Sequence, residues 1–207
     1  MAPQLTANAW REQLGALCPT VDNLRRMLGT ARHAFNRHST EDFAELVRLL
    51  DAVSLALDPV FEKTEKALQN PGAADRPYWG RLHEVITHLE LMGAAIVALE
   101  NPIREKIKDN IIFSDKDFIH INQVFTHHTG LLRALADIFT TDNASLKDYV
   151  LQESEALITG GFAAVAAHES HTLESLGQPK AWSIYLSLLD HSRIIVRHLM
   201  DVVKAVG

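Results

Sequence analysis

The chain has 207 residues with a formal net charge of −6, and its length suits one or two domains. Hydrophobic residues make up 47% and charged residues 22%, which supplies enough apolar material for a core and excludes wholesale disorder. No run of Lys and Arg supplies the basic patch that general nucleic-acid binding needs. The single cysteine, Cys18, excludes an internal disulfide framework and a cysteine-built zinc site.

Apolar residues recur at steps of three and four along almost the whole chain, which is typical of amphipathic helices. The clearest stripe runs from Ala181 to Val206, and no convincing period-two strand occurs. Long helices with short connections predict an all-α protein in which neighbouring helices are antiparallel. Six main helices are predicted at residues 20–38, 41–69, 77–108, 115–140, 144–175 and 179–205.

Capping residues and prolines mark where helices begin. Ser39 and Ser114 each lie three residues before an acid, a spacing that is typical of helix N-termini. Pro77 stands where a helix can begin without a backbone donor. Residues 1–19 are expected to form an N-terminal extension with a candidate short helix at residues 4–17.

No targeting or membrane segment is predicted. The first twenty residues lack a basic start followed by an apolar stretch, so we expect no signal peptide. The most apolar stretch, Ile158–Ala167, is far shorter than the roughly 20 apolar residues of a membrane span. We therefore expect a soluble protein in the cytoplasm.

The two halves of the chain follow one plan. Each half has a helix, a short turn, a long helix, a loop with proline and another long helix, and Trp79 and Trp182 begin the two last helices at an offset of 103 residues. This predicts an internal duplication, with one three-helix repeat at residues 20–110 and a second at residues 111–207. The alternative is a six-helix bundle without duplication.

A helix-weakening residue occupies a similar place in the second helix of each half. Pro59 precedes Phe61, and Gly160 precedes Phe162, at an offset of 101 residues for both pairs. Proline removes a backbone donor and glycine increases backbone entropy, so both weaken a helix. We expect the two phenylalanines to occupy equivalent buried sites beside kinks.

Four stretches carry a family resemblance. They read His-Leu-Glu-Leu-Met-Gly-Ala-Ala at 88–95, Ile-Arg-Glu-Lys-Ile at 103–107, Ile-Phe-Ser-Asp at 112–115 and Ile-Tyr-Leu-Ser-Leu-Leu at 184–189. By their order and spacing the chain resembles PhoU, the phosphate-uptake regulator, and looks closest to the PhoU-like soluble domain attached to sodium–phosphate cotransporters. The resemblance covers residues 20–205 and implies an all-α fold of two tandem antiparallel three-helix bundles.

The chain departs from the family in its acidic motifs. PhoU proteins carry Glu/Asp-x-x-x-Asp on the third helix of each repeat, where two carboxylates share one helix face and can hold metal ions. Here Glu90 keeps the first position, but the partner position is Ala94, and the matching positions of the second repeat are Arg193 and Arg197. Arginine has no lone pair to give to a cation. We therefore expect no metal at these degenerate motif faces, and no cofactor.

The second motif has acidic neighbours at helical spacing. Asp190 lies three residues before Arg193, and Asp201 lies four residues after Arg197. Oppositely charged side chains at these spacings are neighbours on a helix surface. The face is therefore predicted to be ion-paired.

Eleven histidines raise the question of a histidine-based metal site. His83 and His88 are five residues apart, about 140° around a helix, so they do not form the zinc motif His-Glu-x-x-His. His168 and His171 have the i, i+3 spacing that could donate two ligands, and the pair at 127–128 points in directions about 100° apart. We favour the interpretation that the histidines are polar or partly buried residues on the faces of the helices. A metal site and a pH-sensing role remain alternatives.

The resemblance implies a non-catalytic regulatory or adaptor protein of phosphate transport or phosphate signalling. Its partner would be the cytoplasmic face of a phosphate transporter or a phosphate-sensing signalling protein such as a kinase, and it would lie in the cytoplasm, including the inner face of the membrane. Long helix faces suit the docking of another helical protein, and a homodimer is a base-rate expectation. The sequence has no glycine-rich nucleotide motif and no nucleophile elbow.

Two other hypotheses stay open. One is a metal-binding helical-bundle protein or enzyme that uses histidines with Asp51, Asp58 or Glu90. The other is a scaffold that kept the fold and lost its role in phosphate physiology. The metal content of the purified protein distinguishes the metal-binding protein from an adaptor. The identity of the neighbouring genes distinguishes the scaffold from an adaptor of phosphate physiology.

Overall fold

The computed structural model describes residues 7–69, 75–171 and 179–207, of which residues 161–171 are described by their backbone alone. Within these ranges the chain forms α-helices and no strand, so the predicted all-α class is confirmed. The helices are α1 Ala7–Ala16, α2 Cys18–Arg37, α3 Asp42–Leu68, α4 Arg76–Ala98, α5 Glu100–Lys108, α6 Asp115–Thr141, α7 Ala144–His171 and α8 Pro179–Val206.

Five of the six predicted helices correspond to α2, α3, α6, α7 and α8, and α1 lies within the predicted short helix at 4–17. The sixth, at 77–108, is divided into α4 and α5 at Leu99. Pro102 explains the division, because proline has no N–H to donate to the carbonyl of Ala98, four residues earlier. The N–H of Leu99 instead bonds to the Ile96 carbonyl at 3.2 Å, which tightens the last turn of α4.

Only one of the two predicted serine caps forms. The Ser114 hydroxyl accepts a hydrogen bond from the Asp117 backbone N–H at 3.2 Å and starts α6. Helix α3 begins without a side-chain cap, and the Asp42 carboxylate lies 2.8 Å from Nδ1 of His33. Before it, His38 ends α2 in the left-handed conformation, with φ of 56°.

Replacing Ser114 by alanine should lower the free energy of unfolding by about 1 kcal/mol, because the first turn of α6 loses its cap. Ser39→Ala is the matched control, since α3 has no side-chain cap to lose. Urea unfolding of both variants checks this, and equal losses would contradict the assignment of the cap.

The helices pack in two sets that share one apolar core. Helices α2, α3 and α4 pack on one another, as do α6, α7 and α8, and contacts of α2 with α6 and of α4 with α8 join the sets. The contact of α4 with α8 is the most extensive. The apolar stripe at helical spacing in α4 and α5 is buried at every position, namely Leu82, Val85, Leu89, Met92, Ile96, Leu99 and Ile103.

The two tryptophans that suggested a duplication lie at comparable places in the structure. The duplication itself stays a prediction. Trp79 and Trp182 are both partly buried, near the starts of α4 and α8. Phe61 is only half-buried, contrary to the prediction of a buried site, and its ring lies against His83 with centroids 5.5 Å apart. The Phe162 side chain lies outside the described residues.

A buried lysine joins α5 to the C-terminal end of α2. Lys106 is 3% exposed, and its ammonium group donates to the Phe35 carbonyl at 2.9 Å and contacts Nε2 of His38. The Phe35 carbonyl is one of the last four carbonyls of α2. These carbonyls receive no hydrogen bond from an N–H group of the same helix. Burial lowers the pKa of Lys106 to about 8.

Within the described part of the chain, one stretch has the length and hydropathy of a membrane span. It runs through α4 and α5, from Arg76 to Lys108, and half of its most apolar window is buried inside the bundle. A core helix of a bundle passes the same test, because its buried face is apolar.

Candidate functional site

The degenerate motif faces lie on the two helices that make the most extensive contact. On α4, Glu90 is half-buried and Ala94 is exposed. On α8, Asp190 is exposed, and its carboxylate lies 3.2 Å from Arg193, so this predicted ion pair is confirmed. Arg197 is exposed one turn further along α8.

The predicted pair of Arg197 with Asp201 does not form. The Asp201 carboxylate lies 3.7 Å from the ammonium group of Lys204, on the following turn of α8. It also faces His198 and, across the helix contact, His88. Asp201 therefore belongs to a different group of side chains from the motif face.

That group is a cluster of three potential metal ligands at the contact of α4 with α8. Nδ1 of His88 lies 3.1 Å from Nδ1 of His198, and one ligand atom from each histidine and from Asp201 lie within 4.8 Å of one another. All three residues are partly buried. Among the described residues, no group of at least three His, Cys, Asp or Glu ligands this close includes Glu90, Asp51 or Asp58.

Burial and the neighbouring imidazole favour the neutral form of His198. Desolvation is the main cause that lowers the pKa of His198, and the proximity of His88 lowers it further, while Asp201 opposes both. When both rings are neutral, one Nδ1–H can donate to the other Nδ1. Two imidazole nitrogens and a carboxylate are the donors that zinc and similar ions prefer.

This cluster was not predicted from the sequence. Part of its signal is local, because His198 and Asp201 have the i, i+3 spacing that places both on one face of a helix. The third member, His88, lies 110 residues before His198, and only the packing of α4 on α8 brings it near.

The other histidines mostly support the interpretation of polar residues on helix faces. Nδ1 of His83 lies 3.2 Å from the Thr64 hydroxyl, on the side of α4 that faces α3, whereas His88 faces α8, so the two do diverge. His120 lies 2.6 Å from the Tyr185 hydroxyl, and burial lowers its pKa. The side chains of His168 and His171 lie outside the described residues.

His128 forms a buried bridge between α6 and α8. Its Nδ1 donates to the Val124 carbonyl at 2.6 Å, and its Nε2 accepts from the Ser192 hydroxyl at 2.9 Å. A serine and a histidine at this distance resemble a nucleophile and its base. Here both lie inside helices, and His128 is only 3% exposed, so its imidazole is shielded from solvent.

Burial lowers the pKa of His128, so the folded state binds fewer protons than the unfolded state below pH 6.5. The free energy of unfolding should therefore fall as the pH drops below about 6.5, by up to about 1.4 kcal/mol per pH unit for this residue. His128→Gln should make the slope of stability against pH shallower in urea unfolding from pH 7 to 5. His127→Gln, at an exposed neighbouring position, is the comparison and should change the slope less than His128→Gln does.

Cys18 is half-buried at the start of α2, with its thiol 3.7 Å from the Ala136 carbonyl. Burial and the nearby Asp137 raise the pKa of the thiol. A raised pKa leaves little thiolate, which is the reactive form. The residue therefore packs between α2 and α6 and lacks the activation of a catalytic cysteine.

Comparison with known proteins supports the fold. No family model and no curated protein matches this chain. In structure it is similar to PhoU from Pseudomonas aeruginosa, with a TM-score of 0.80 and 15% sequence identity over 97% of both chains. A match over 97% of both chains indicates that the helices are arranged alike. This chain therefore has a PhoU-like, all-helical fold.

Proposed function

We propose that this protein is a non-catalytic regulatory adaptor of phosphate transport or phosphate signalling. The observation that carries the proposal is the PhoU-like fold over 97% of the chain. The sequence resemblance at the ends of α4 and α5 and the start of α6 agrees with it. Because a fold alone does not determine a function, the surface features that follow are the second part of the argument.

The degenerate motif faces suit contact with a protein better than contact with a cation. Leu91 is 43% exposed beside Glu90 and Ala94 on α4, and Ile194 is 41% exposed between Asp190 and Arg197 on α8. Exposed apolar residues next to charged residues are typical of interaction surfaces. We infer that these faces dock the cytoplasmic side of a phosphate transporter or a phosphate-sensing kinase. The protein would then act in the cytoplasm and at the inner face of the membrane.

Deletion of the gene in its own organism tests the proposal. Phosphate uptake and phosphate-responsive transcription are measured at low and high phosphate, with and without complementation. We expect the deletion to change at least one of them and the natural gene to restore it. Complementation with Ile194→Asp should fail, and with Leu55→Asp it should succeed, because Leu55 is 75% exposed on α3, away from the motif faces. No change in either phenotype would contradict the proposed function.

A further inference from the structure

We propose that His88, His198 and Asp201 bind one divalent transition-metal ion, with zinc as the preferred ion, at the contact of α4 with α8. The inference rests on the geometry and chemistry of these three side chains. It does not depend on the proposed adaptor function. The site would take an ion of intermediate softness, because imidazole suits zinc, copper, nickel and iron better than magnesium or calcium.

The two imidazoles already stand at the separation that a shared ion needs. Two nitrogens that bind one zinc ion at about 2.0–2.1 Å, at the tetrahedral angle, are about 3.3 Å apart. In this structure the two Nδ1 atoms are 3.1 Å apart. A metal ion can therefore replace the proton that the pair shares, and the helices need not move.

Asp201 supplies the third ligand from the same helix as His198. Its carboxylate lies within 4.8 Å of a ring nitrogen of each histidine, so a change of side-chain rotamer can bring it to the ion. All three residues are partly exposed, which leaves a path for entry and a fourth position for water. Two neutral imidazoles and one carboxylate reduce the charge of a divalent ion to +1.

Lys204 competes for the same carboxylate. Its ammonium group lies 3.7 Å from Asp201, and its side chain is 58% exposed. An ammonium group near a metal site repels the ion and holds the carboxylate in another orientation. The proposal therefore predicts that Lys204→Ala tightens metal binding.

The site differs from the degenerate motif faces. His88 lies two residues before Glu90, which places the two side chains about 160° apart around α4. With one ligand on α4 and two on α8, a bound ion would hold the two sets of helices together. Because it binds only the folded arrangement, it should also raise the melting temperature.

Titration of the whole chain with zinc chloride tests the inference. The protein is produced without a histidine tag, treated with a chelator and studied by calorimetry, with cobalt absorption as a second readout of ligand geometry. The variants are His198→Gln and Asp201→Asn, which remove ligands, and Lys204→Ala, which removes the competitor. The controls are His191→Gln, another half-buried histidine of α8, and Glu90→Gln on the motif face.

We expect one zinc ion per chain, a higher melting temperature with zinc and tetrahedral cobalt absorption. Binding should weaken by at least about tenfold in His198→Gln and in Asp201→Asn, tighten in Lys204→Ala and stay the same in both controls. Circular dichroism without metal shows whether the variants fold. If His198→Gln does not fold, Lys204→Ala still tests the site, because the Lys204 side chain is exposed. Absence of saturable binding up to about 0.1 mM zinc would overturn the inference. Loss of binding in Glu90→Gln alone would overturn it as well.

Discussion

Replacing Phe35 by alanine is expected to lower the free energy of unfolding by about 3–5 kcal/mol, the range for a fully buried phenylalanine. The ring has no exposed surface and lies at the meeting point of α2 with α6. It packs on Phe113 and Phe118 with centroids 5.7 Å apart in each case, and on Phe125 at 6.3 Å. Truncation would leave a cavity that three aromatic neighbours fill only in part.

Leu55→Ala is the control for this truncation, because Leu55 is 75% exposed on α3. It should change the free energy of unfolding by no more than about 0.5 kcal/mol. Urea unfolding at neutral pH measures both variants. A loss below about 1 kcal/mol for Phe35→Ala would show that the ring is not part of a close-packed core.

Lys106→Met is expected to change the pH dependence of stability at alkaline pH. The pKa of Lys106 is about 8 in the folded protein and 10.5 when unperturbed, so between these values the unfolded state binds more protons. The stability of the natural protein relative to the methionine variant should therefore rise from pH 8 to 10.5, by up to about 3 kcal/mol. Below pH 8 the lysine is charged in both states and the difference should be constant.

Lys108→Met serves as the comparison, because Lys108 is exposed two residues further along α5. Its difference from the natural protein should vary with pH less than that of Lys106→Met over the same range. Urea unfolding at intervals between pH 7 and 10.5 gives both curves. A flat difference for Lys106→Met would mean that the buried amine keeps its ordinary pKa.

Local periodicity was sufficient to predict the helices and their buried faces. In α4 every stripe position from Leu82 to Leu99 is buried, because a step of 3.6 residues keeps those side chains on one side of the helix. The cap at Ser114 was predictable for the same reason, since it needs only residues within three positions. The break at Leu99 had a local signal in Pro102, which the apolar stripe obscured.

Predictions of which side chains interact were less accurate than predictions of the helices. Ser39 has the same spacing to an acid as Ser114, but α3 begins only at Asp42, so Glu41 and not Ser39 occupies the N-cap position. Asp201 has the right spacing for Arg197, but it faces Lys204 and the two histidines. Spacing identifies which side chains can meet, and tertiary packing decides which of them do.

The candidate metal cluster shows where sequence reasoning ends. The i, i+3 pair of His198 and Asp201 was visible, but it gains a third ligand only because α8 packs on α4. That pairing joins the two halves of the chain, and no local pattern encodes it. The PhoU-like fold could be predicted because its motifs recur in order, whereas this contact depends on the arrangement of the whole bundle.

The central claim is that this protein acts by binding a component of phosphate transport or phosphate signalling. The most direct measurement is the binding of the purified protein to the phosphate transporter of its own organism, in lipid nanodiscs, and to a phosphate-sensing kinase of that organism. We predict saturable binding to at least one of them, lost in Leu91→Asp with Ile194→Asp and retained in Leu55→Asp, since the first two residues lie on the motif faces. Failure to bind either partner, or equal binding by all variants, would contradict the account.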